Sequence, residues 1–84
     1  MKVRIVLTGR GYDAADVPAE LELREGATLE DAVAQLREQL GNARFAASTL
    51  VIVAGKHVGT LAAFDNVVLA DGEEVMLLQP VAGG

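Results

Sequence analysis

A single amphipathic helix pattern constrains the fold of this 84-residue chain more than any other feature. Between residues 29 and 40, apolar side chains recur at helical spacing and form one stripe. Thr28 precedes the stripe as a helix N-cap, and Gly41 follows it as a stop signal. The stripe consists of Leu29, Ala32, Val33, Leu36 and Leu40. No other segment has a helix pattern of comparable strength, so the rest of the fold has only one helix to pack on.

Two alternating segments precede the helix and predict β-strands. Residues 2–7 and 19–24 both place apolar side chains at every second position, which is the pattern of a strand with one buried face. The two segments are expected to form an antiparallel pair. The side chains expected to face the core are Val3, Ile5 and Leu7 in the first segment and Ala19, Leu21 and Leu23 in the second.

Further strand patterns follow the helix. Residues 50–54 are almost purely apolar, residues 55–56 predict a tight turn, and a short return strand begins at His57. Glu74–Gln79 is predicted as the last strand, and Pro80, which cannot donate to a ladder, marks where the chain leaves the sheet. In the segment between these strands, the residues expected to be buried are Leu61, Phe64, Val67 and Leu69.

This order of elements predicts an α+β fold with a mixed sheet of four to five strands and one main helix packed across one face. The first and last strands are both apolar, which makes them the best candidates for a central parallel pair. A chain of 84 residues has room for one core. Residues 1–84 are therefore expected to form a single domain with a flexible tail at 80–84.

Composition and charge argue against several classes of function. The net charge of −5 argues against a general affinity for nucleic acid, because phosphate binding needs a clustered basic surface. The chain has no cysteine, so it can form neither a disulfide framework nor a thiolate metal site. Its longest apolar run, Leu50–Ala54, is too short to cross a membrane, and no signal peptide is expected. We therefore expect a cytoplasmic protein that binds neither nucleic acid nor membrane.

Side chains suited to catalysis are sparse. His57 is the only histidine and lies beside a predicted turn, where a solvated residue is the usual occupant. The carboxylates are scattered over a strand face, a helix start and a turn, and no nucleophile is arranged with a base and an acid. We therefore expect a protein that is not an enzyme by itself and that binds no metal or cofactor of its own.

The end of the chain offers a different kind of chemistry. Gly83 and Gly84 carry no side chains, so they can enter a channel too narrow for any Cβ and present the carboxylate of Gly84 to another protein. A carboxylate becomes a good electrophile once it is activated, commonly as an acyl-adenylate. A frayed terminus without function is the alternative that the two glycines alone leave open. Their position directly after a strong strand, without a polar linker, favours a function.

Two motifs near this end resemble the C-terminus of the MoaD/ThiS family. They are Asp71-Gly72-Glu73-Glu74-Val75 and Pro80-Val81-Ala82-Gly83-Gly84, which are similar to the family's D-G-[DE]-E-V turn and strand and to its P-V-x-G-G tail. The family consists of ubiquitin-like sulfur carrier proteins and includes the small subunit of molybdopterin synthase. The resemblance implies a β-grasp fold whose C-terminal residue, here Gly84, is adenylated and then converted to a thiocarboxylate.

The resemblance also implies the partners. An adenylyltransferase of the ubiquitin-activating type would use ATP to activate Gly84, a sulfurtransferase would supply sulfur, and the large subunit of a synthase would receive it. Pro80, Val81, Ala82 and Gly83 would then form the tail that enters each partner's channel. The length of the chain and its Pro-Val-Ala-Gly-Gly end favour molybdopterin synthesis. Thiamine, cysteine or secondary-metabolite synthesis, conjugation of Gly84 to target proteins, and a plain β-grasp binding module stay open.

A docking surface for these partners is expected on the last strand. Apolar residues occupy four successive positions from Val75 to Leu78, more than one buried face needs, so one face of this strand should be partly exposed. A central strand covered on both faces is the alternative. The predicted partner contacts are Val75, Leu77 and Phe64, with Val58 nearby and an acidic rim of Glu73 and Glu74.

Overall fold

The computed structural model describes residues 1–9, 17–41 and 45–79, which form five strands and one helix. The elements are β1 (Lys2–Gly9), β2 (Glu20–Glu22), α1 (Leu29–Leu40), β3 (Leu50–Val53), β4 (Lys56–Thr60) and β5 (Glu74–Gln79). The bounds of α1 and β5 are those that the sequence predicts. Within the described ranges, no helix is long and apolar enough to span a membrane.

The five strands form one mixed sheet in the order β2-β1-β5-β3-β4. β1 and β5 run parallel, from Arg4 opposite Glu74 to Gly9 opposite Gln79, and the other three pairs are antiparallel. The predicted central parallel pair of first and last strands is therefore confirmed. As a consequence, the last strand of the chain lies in the middle of the sheet, with β1 on one side and β3 on the other.

Helix α1 begins at a capping box. The Thr28 hydroxyl accepts a hydrogen bond from the Asp31 amide at 3.4 Å, and the Asp31 carboxylate accepts one from the Thr28 amide at 2.9 Å. The bond from the Thr28 amide, aided by the Thr28 hydroxyl and the Arg24 guanidinium, holds the pKa of Asp31 below its ordinary value. At the other end, Gly41 has a φ of +95° and its amide donates to the Arg37 carbonyl at 2.7 Å. These local contacts fix both ends of the helix.

The apolar stripe of α1 packs against one face of the sheet and closes the core. Leu36 is 2% exposed, as the stripe predicts, and Leu29 and Ala32 are fully buried. The strands contribute the buried side chains of Val3, Ile5, Leu21, Val51, Val53, Val75 and Leu77. Burial of each large apolar side chain stabilises the fold by roughly 1.5–3 kcal/mol. The core therefore lies between α1 and the inward face of the sheet.

The second strand is shorter than the alternating pattern predicts. β2 spans only Glu20–Glu22, and Ala19, which we expected to face the core, is exposed. The Ala19 carbonyl still accepts a hydrogen bond from the Ile5 amide at 2.8 Å, so the backbone pairing extends further than the burial. Leu21 and Leu23 are buried as predicted.

The hairpin turn between β3 and β4 lies one residue earlier than expected. Ala54 and Gly55 form it, with φ angles of 50° and 82°, and Lys56 already belongs to β4. Two successive residues with positive φ match the twist of a two-residue hairpin, which accounts for the earlier start of β4.

The segment between β4 and β5 packs partly into the core without forming a long strand. Leu61 and Leu69 are buried as predicted, whereas Phe64 and Val67 are half-buried. The start of this segment approaches β4 closely at Gly59, where φ is +136° and an added Cβ would clash with the Ala63 carbonyl oxygen. Only glycine permits this approach, which holds the segment against the edge of the sheet.

Candidate functional site

The end of β5 is the point from which the predicted functional tail continues. The residues of this tail, Pro80, Val81, Ala82, Gly83 and Gly84, lie outside the described part of the chain. β5 ends at Gln79, which pairs with Gly9 at the end of β1. The preceding residue, Leu78, pairs with Thr8 of β1 and with Leu50 of β3. The tail therefore continues from the centre of one end of the sheet rather than from an edge.

The four apolar residues of β5 divide between two faces of the sheet. Val75 and Leu77 point toward α1 and are 1% and 0% exposed, whereas Met76 and Leu78 are half-buried on the opposite face. The prediction that one face of this strand is partly exposed is confirmed. The assignment of Val75 and Leu77 as partner contacts is wrong, because both side chains are enclosed in the core. The apolar side chains of β5 that stay accessible are those of Met76 and Leu78.

The exposed side of β5 belongs to a larger apolar surface, which we call the open face: Val6, Leu50, Ile52, Met76 and Leu78. Met76 lies opposite Val6 on β1 and opposite Ile52 on β3, so these three side chains form a row across the sheet. All five residues are half-buried. Sequence reasoning missed Val6, Leu50 and Ile52. Val6 could have been found, because it is an apolar residue at an outward position of an alternating segment. Leu50 and Ile52 could not, because residues 50–54 are all apolar and give no parity.

Charged residues continue the same side of the sheet beyond the open face. Arg4 lies opposite Glu20 on β2 and opposite Glu74 on β5, and its guanidinium is 3.7 Å from the Glu74 carboxylate. The next row pairs Lys2 with Glu22. The predicted acidic rim is therefore partly neutralised at Glu74. The surface beside the open face presents cations and anions in alternation.

The structure separates two other predicted contact residues from the open face. Phe64 lies in the segment after β4 and lines a groove beside α1, on the opposite side of the sheet from Met76. Val58 lines a small cavity together with Val53, Val68 and Glu73 near the start of β5. The assignment of Phe64 to the same docking surface as β5 is therefore corrected, and so is the expectation that Val58 supports it. The loop before Phe64 carries no periodic pattern, so its course could not be read from the sequence.

The titratable side chains do not converge on the open face. His57 is exposed opposite Ile52, at the margin of that face. Across residues 1–9, 17–41 and 45–79, no group of three or more histidine, aspartate or glutamate side chains is placed to hold a metal ion. The described residues form an apolar face with a charged border, which is a surface suited to recognition.

A mixed five-stranded sheet with one helix across one face, and with the last strand at its centre, defines a β-grasp, ubiquitin-like protein. One chain of a solved structure is similar to this fold, with a TM-score of 0.60 and 21% sequence identity. The similarity covers 100% of this protein and 100% of the matched chain. The solved structure is that of the protein–protein complex of subunits 1 and 2 of the molybdopterin-converting factor from Helicobacter pylori 26695. The predicted β-grasp fold is confirmed.

The sequence itself identifies the family. The sequence model of the ThiS family matches residues 5–84, so this chain belongs to the ThiS family. Membership makes it a small sulfur carrier of cofactor biosynthesis and confirms the resemblance first noted at residues 71–84. A comparison with curated protein sequences gave no significant match.

Proposed function

We propose that this protein carries sulfur as a thiocarboxylate on Gly84 and delivers it in the cytoplasm for the synthesis of molybdopterin. Membership of the ThiS family supports the role of carrier, and the Gly83-Gly84 end supplies the group that would hold the sulfur. The structural similarity to a subunit of a molybdopterin-converting factor supports the choice of cofactor and of a synthase large subunit as the recipient.

The first step of the proposed cycle is activation of the carboxylate. An adenylyltransferase of the ubiquitin-activating type binds the carrier and ATP, and a carboxylate oxygen of Gly84 attacks the α-phosphorus. Pyrophosphate leaves, and the product is the acyl-adenylate of Gly84. The slender Gly83-Gly84 backbone lets the partner close around the reacting carbon and exclude water, which would otherwise hydrolyse the adenylate.

The second step replaces oxygen by sulfur. The terminal sulfur of a persulfide on a sulfurtransferase attacks the acyl carbon of the adenylate, and AMP leaves. The resulting acyl disulfide is cleaved by a second thiol of the donor, which forms a disulfide with the first and releases the Gly84 thiocarboxylate. The charged carrier then binds the synthase large subunit, where the sulfur passes to the substrate. This chain contributes no cysteine, so every thiol in these steps belongs to a partner.

The observation that carries the proposal is the position of β5 at the centre of the sheet. Its last residues, Leu78 and Gln79, belong to the end of the sheet from which the tail continues, and Leu78 and Met76 form the middle of the open face. A partner that covers this apolar face is therefore held beside the start of the tail. Docking of the body and entry of the tail then occur together, without a rearrangement of the sheet.

The most direct test is the intact mass of the protein isolated from its native cells. A carrier of this kind should appear in two forms that differ by the exchange of one oxygen for one sulfur, with the change confined to Gly84 in fragment spectra. The same measurement establishes whether Gly84 is the terminal residue. Isopeptide bonds from Gly84 to lysines of other proteins, with no thiocarboxylate, would contradict sulfur carriage and indicate a protein modifier.

A second test uses the tail itself. The rate of ATP–pyrophosphate exchange with the cognate activating enzyme would be measured for the wild type, for Gly83→Ala and for a variant with one residue added after Gly84. We expect both variants to unfold at the wild-type temperature, since the tail lies beyond the last ladder position at Gln79. Exchange should fall in Gly83→Ala, because a methyl group enters a channel shaped for bare backbone. It should be abolished in the extended variant, because an amide replaces the carboxylate. Equal exchange in all three proteins would overturn the proposal.

A further inference from the structure

A groove lies between α1 and the segment that follows β4, on the opposite side of the sheet from the open face. Its volume is about 380 Å³, and it is open to solvent. Val33 and Leu61 are buried and form an apolar floor. The walls include Ala34, Ala62 and Ala63, whose small exposed side chains leave the space between helix and segment unfilled.

Hydrogen bonds fix the two ends of this groove. At one end, the Asn66 side-chain oxygen accepts from the Glu30 amide at 2.8 Å, and its nitrogen donates to the Glu30 carboxylate at 3.4 Å. At the other end, the Arg37 guanidinium donates to the Leu61 carbonyl at 3.5 Å. Because both walls are already held in place, a ligand that enters the groove does not have to order them first.

Arg37 differs from the other arginines of the described ranges. Arg4 and Arg24 each lie beside a carboxylate, at 3.7 and 3.1 Å, whereas Arg37 forms no ion pair with any described residue. Its long bond to Leu61 engages one of the five donors of the guanidinium. A planar, doubly donating cation next to an apolar floor matches a carboxylate side chain with an apolar neighbour.

The Arg37 end of the groove lies at the same end of the sheet as the tail. Leu61 follows Thr60, which pairs with Leu50, and Leu50 pairs in turn with Leu78 near the end of β5. Two strand spacings, about 10 Å, therefore separate Thr60 from Leu78. Five extended residues span up to about 17 Å, so a protein bound at this end can reach Gly84.

We propose that this groove is the docking site of the sulfur-donating partner, which places a carboxylate side chain on Arg37 and an apolar side chain on the floor at Leu61. The inference rests on the proposed function, in which the acyl-adenylate of Gly84 has to meet a sulfur donor before water hydrolyses it. The activating enzyme covers the open face at that moment. The donor therefore approaches from the helix side, and the two enzymes hold the carrier from opposite faces with the tail between them.

The test compares two sulfur sources in the same reaction. The activating enzyme, ATP and the carrier are combined either with the persulfide form of the sulfurtransferase that charges the wild-type protein, or with sodium sulfide, and thiocarboxylate formation is followed by mass spectrometry. Hydrosulfide attacks the adenylate without docking. We expect Arg37→Glu to lower the rate with the sulfurtransferase about tenfold or more and to leave the rate with sulfide unchanged.

Two further variants define the site. Ala34→Glu places bulk and negative charge in the groove at a position where the helix tolerates either residue, and it should reproduce the selective loss. Lys56→Glu changes the charge by the same amount as Arg37→Glu, but at the exposed hairpin outside the groove. It should behave as the wild type with both sulfur sources.

For each variant, the rate with the sulfurtransferase is divided by the rate with sulfide. This ratio decides the outcome, since a smaller folded fraction lowers both rates alike. An unchanged ratio in Arg37→Glu and Ala34→Glu would overturn the docking site. A wild-type protein that forms no thiocarboxylate even from sulfide would overturn the proposed function itself.

Discussion

The two faces of β5 are built from the same kind of residue and differ in what covers them. Val75 and Leu77 face α1 and are almost fully enclosed, whereas Met76 and Leu78 alternate with them on the open face and are half-buried. Neighbouring positions of one strand therefore have different functions. The face toward α1 supplies stability, and the open face retains apolar surface that the fold does not need to bury.

This division also means that the open face can be tested separately from the stability of the fold. Substitutions on the helix side should act first on the free energy of unfolding, and substitutions on the open face should act first on association with a partner.

The largest effect is expected at Leu77. Leu77→Ala should lower the free energy of unfolding by about 2–5 kcal/mol, since a fully buried leucine leaves a cavity when it is truncated. The free energy of unfolding of a domain of this size is roughly 5 kcal/mol or a little more, so the variant should be only marginally stable. Leu78→Ala, one position away on the open face, should cost about 1 kcal/mol or less. Urea denaturation of both variants measures the difference, and equal losses would contradict the division of the strand.

The sequence could not settle which residues of β5 face the core. All four positions from Val75 to Leu78 are apolar, so alternation within the strand gives no parity. The parity comes from the partner strand, because Ile5 is buried and lies opposite Val75 in the parallel ladder. That register is a tertiary property, and our choice of Val75 and Leu77 as partner contacts was wrong for this reason.

The elements that the sequence did locate have local causes. The bounds of α1 follow from the Thr28 capping box and from Gly41 with its positive φ, both of which depend on residues within a few positions. The central parallel pair followed from the apolar character of the first and last strands. Phe64 lies beside α1 because Gly59 admits a close backbone approach, and no residue pattern near Phe64 encodes that contact.

The second prediction concerns the open face. Met76→Ser should raise the KM for the carrier in ATP–pyrophosphate exchange about tenfold or more, because Met76 lies at the centre of the apolar row that a partner would cover. The turnover number should change little, since the tail is intact. Val68→Ser is the matched control, because Val68 is 68% exposed and lies outside the open face. A KM that rises equally in both variants would mean that the open face has no special part in docking.

The third prediction concerns the charged residues next to the open face. Arg4→Glu places a third carboxylate between Glu20 and Glu74 in one row of the sheet. Because the Arg4 and Glu74 side chains are 60% and 33% exposed, we expect the loss of stability to be below about 1 kcal/mol at low salt. The loss should shrink further as salt is added, since exposed charges are screened. Thermal unfolding at low and high salt checks this, and a loss that does not depend on salt would show that Arg4 acts through packing instead.

The smallest effect is expected on the helix side, at the capping box. The hydrogen bond from the Thr28 amide lowers the pKa of Asp31 in the folded protein below its ordinary value of 3.8, so the ionised carboxylate favours the folded state. This contribution is fully present above pH 3.8 and is lost as the pH falls from there through the lowered pKa. Asp31→Asn should therefore unfold at a lower temperature than the wild type near neutral pH, and this difference in unfolding temperature should narrow in acid.

Glu38→Gln, which removes a carboxylate from the exposed face of the same helix, controls for the change of net charge. If the difference between Asp31→Asn and the wild type stayed constant as the pH falls, the ionised carboxylate of Asp31 would not stabilise the cap. The dependence on pH also separates this contribution from the packing of Leu36 and Leu77, because apolar side chains do not titrate.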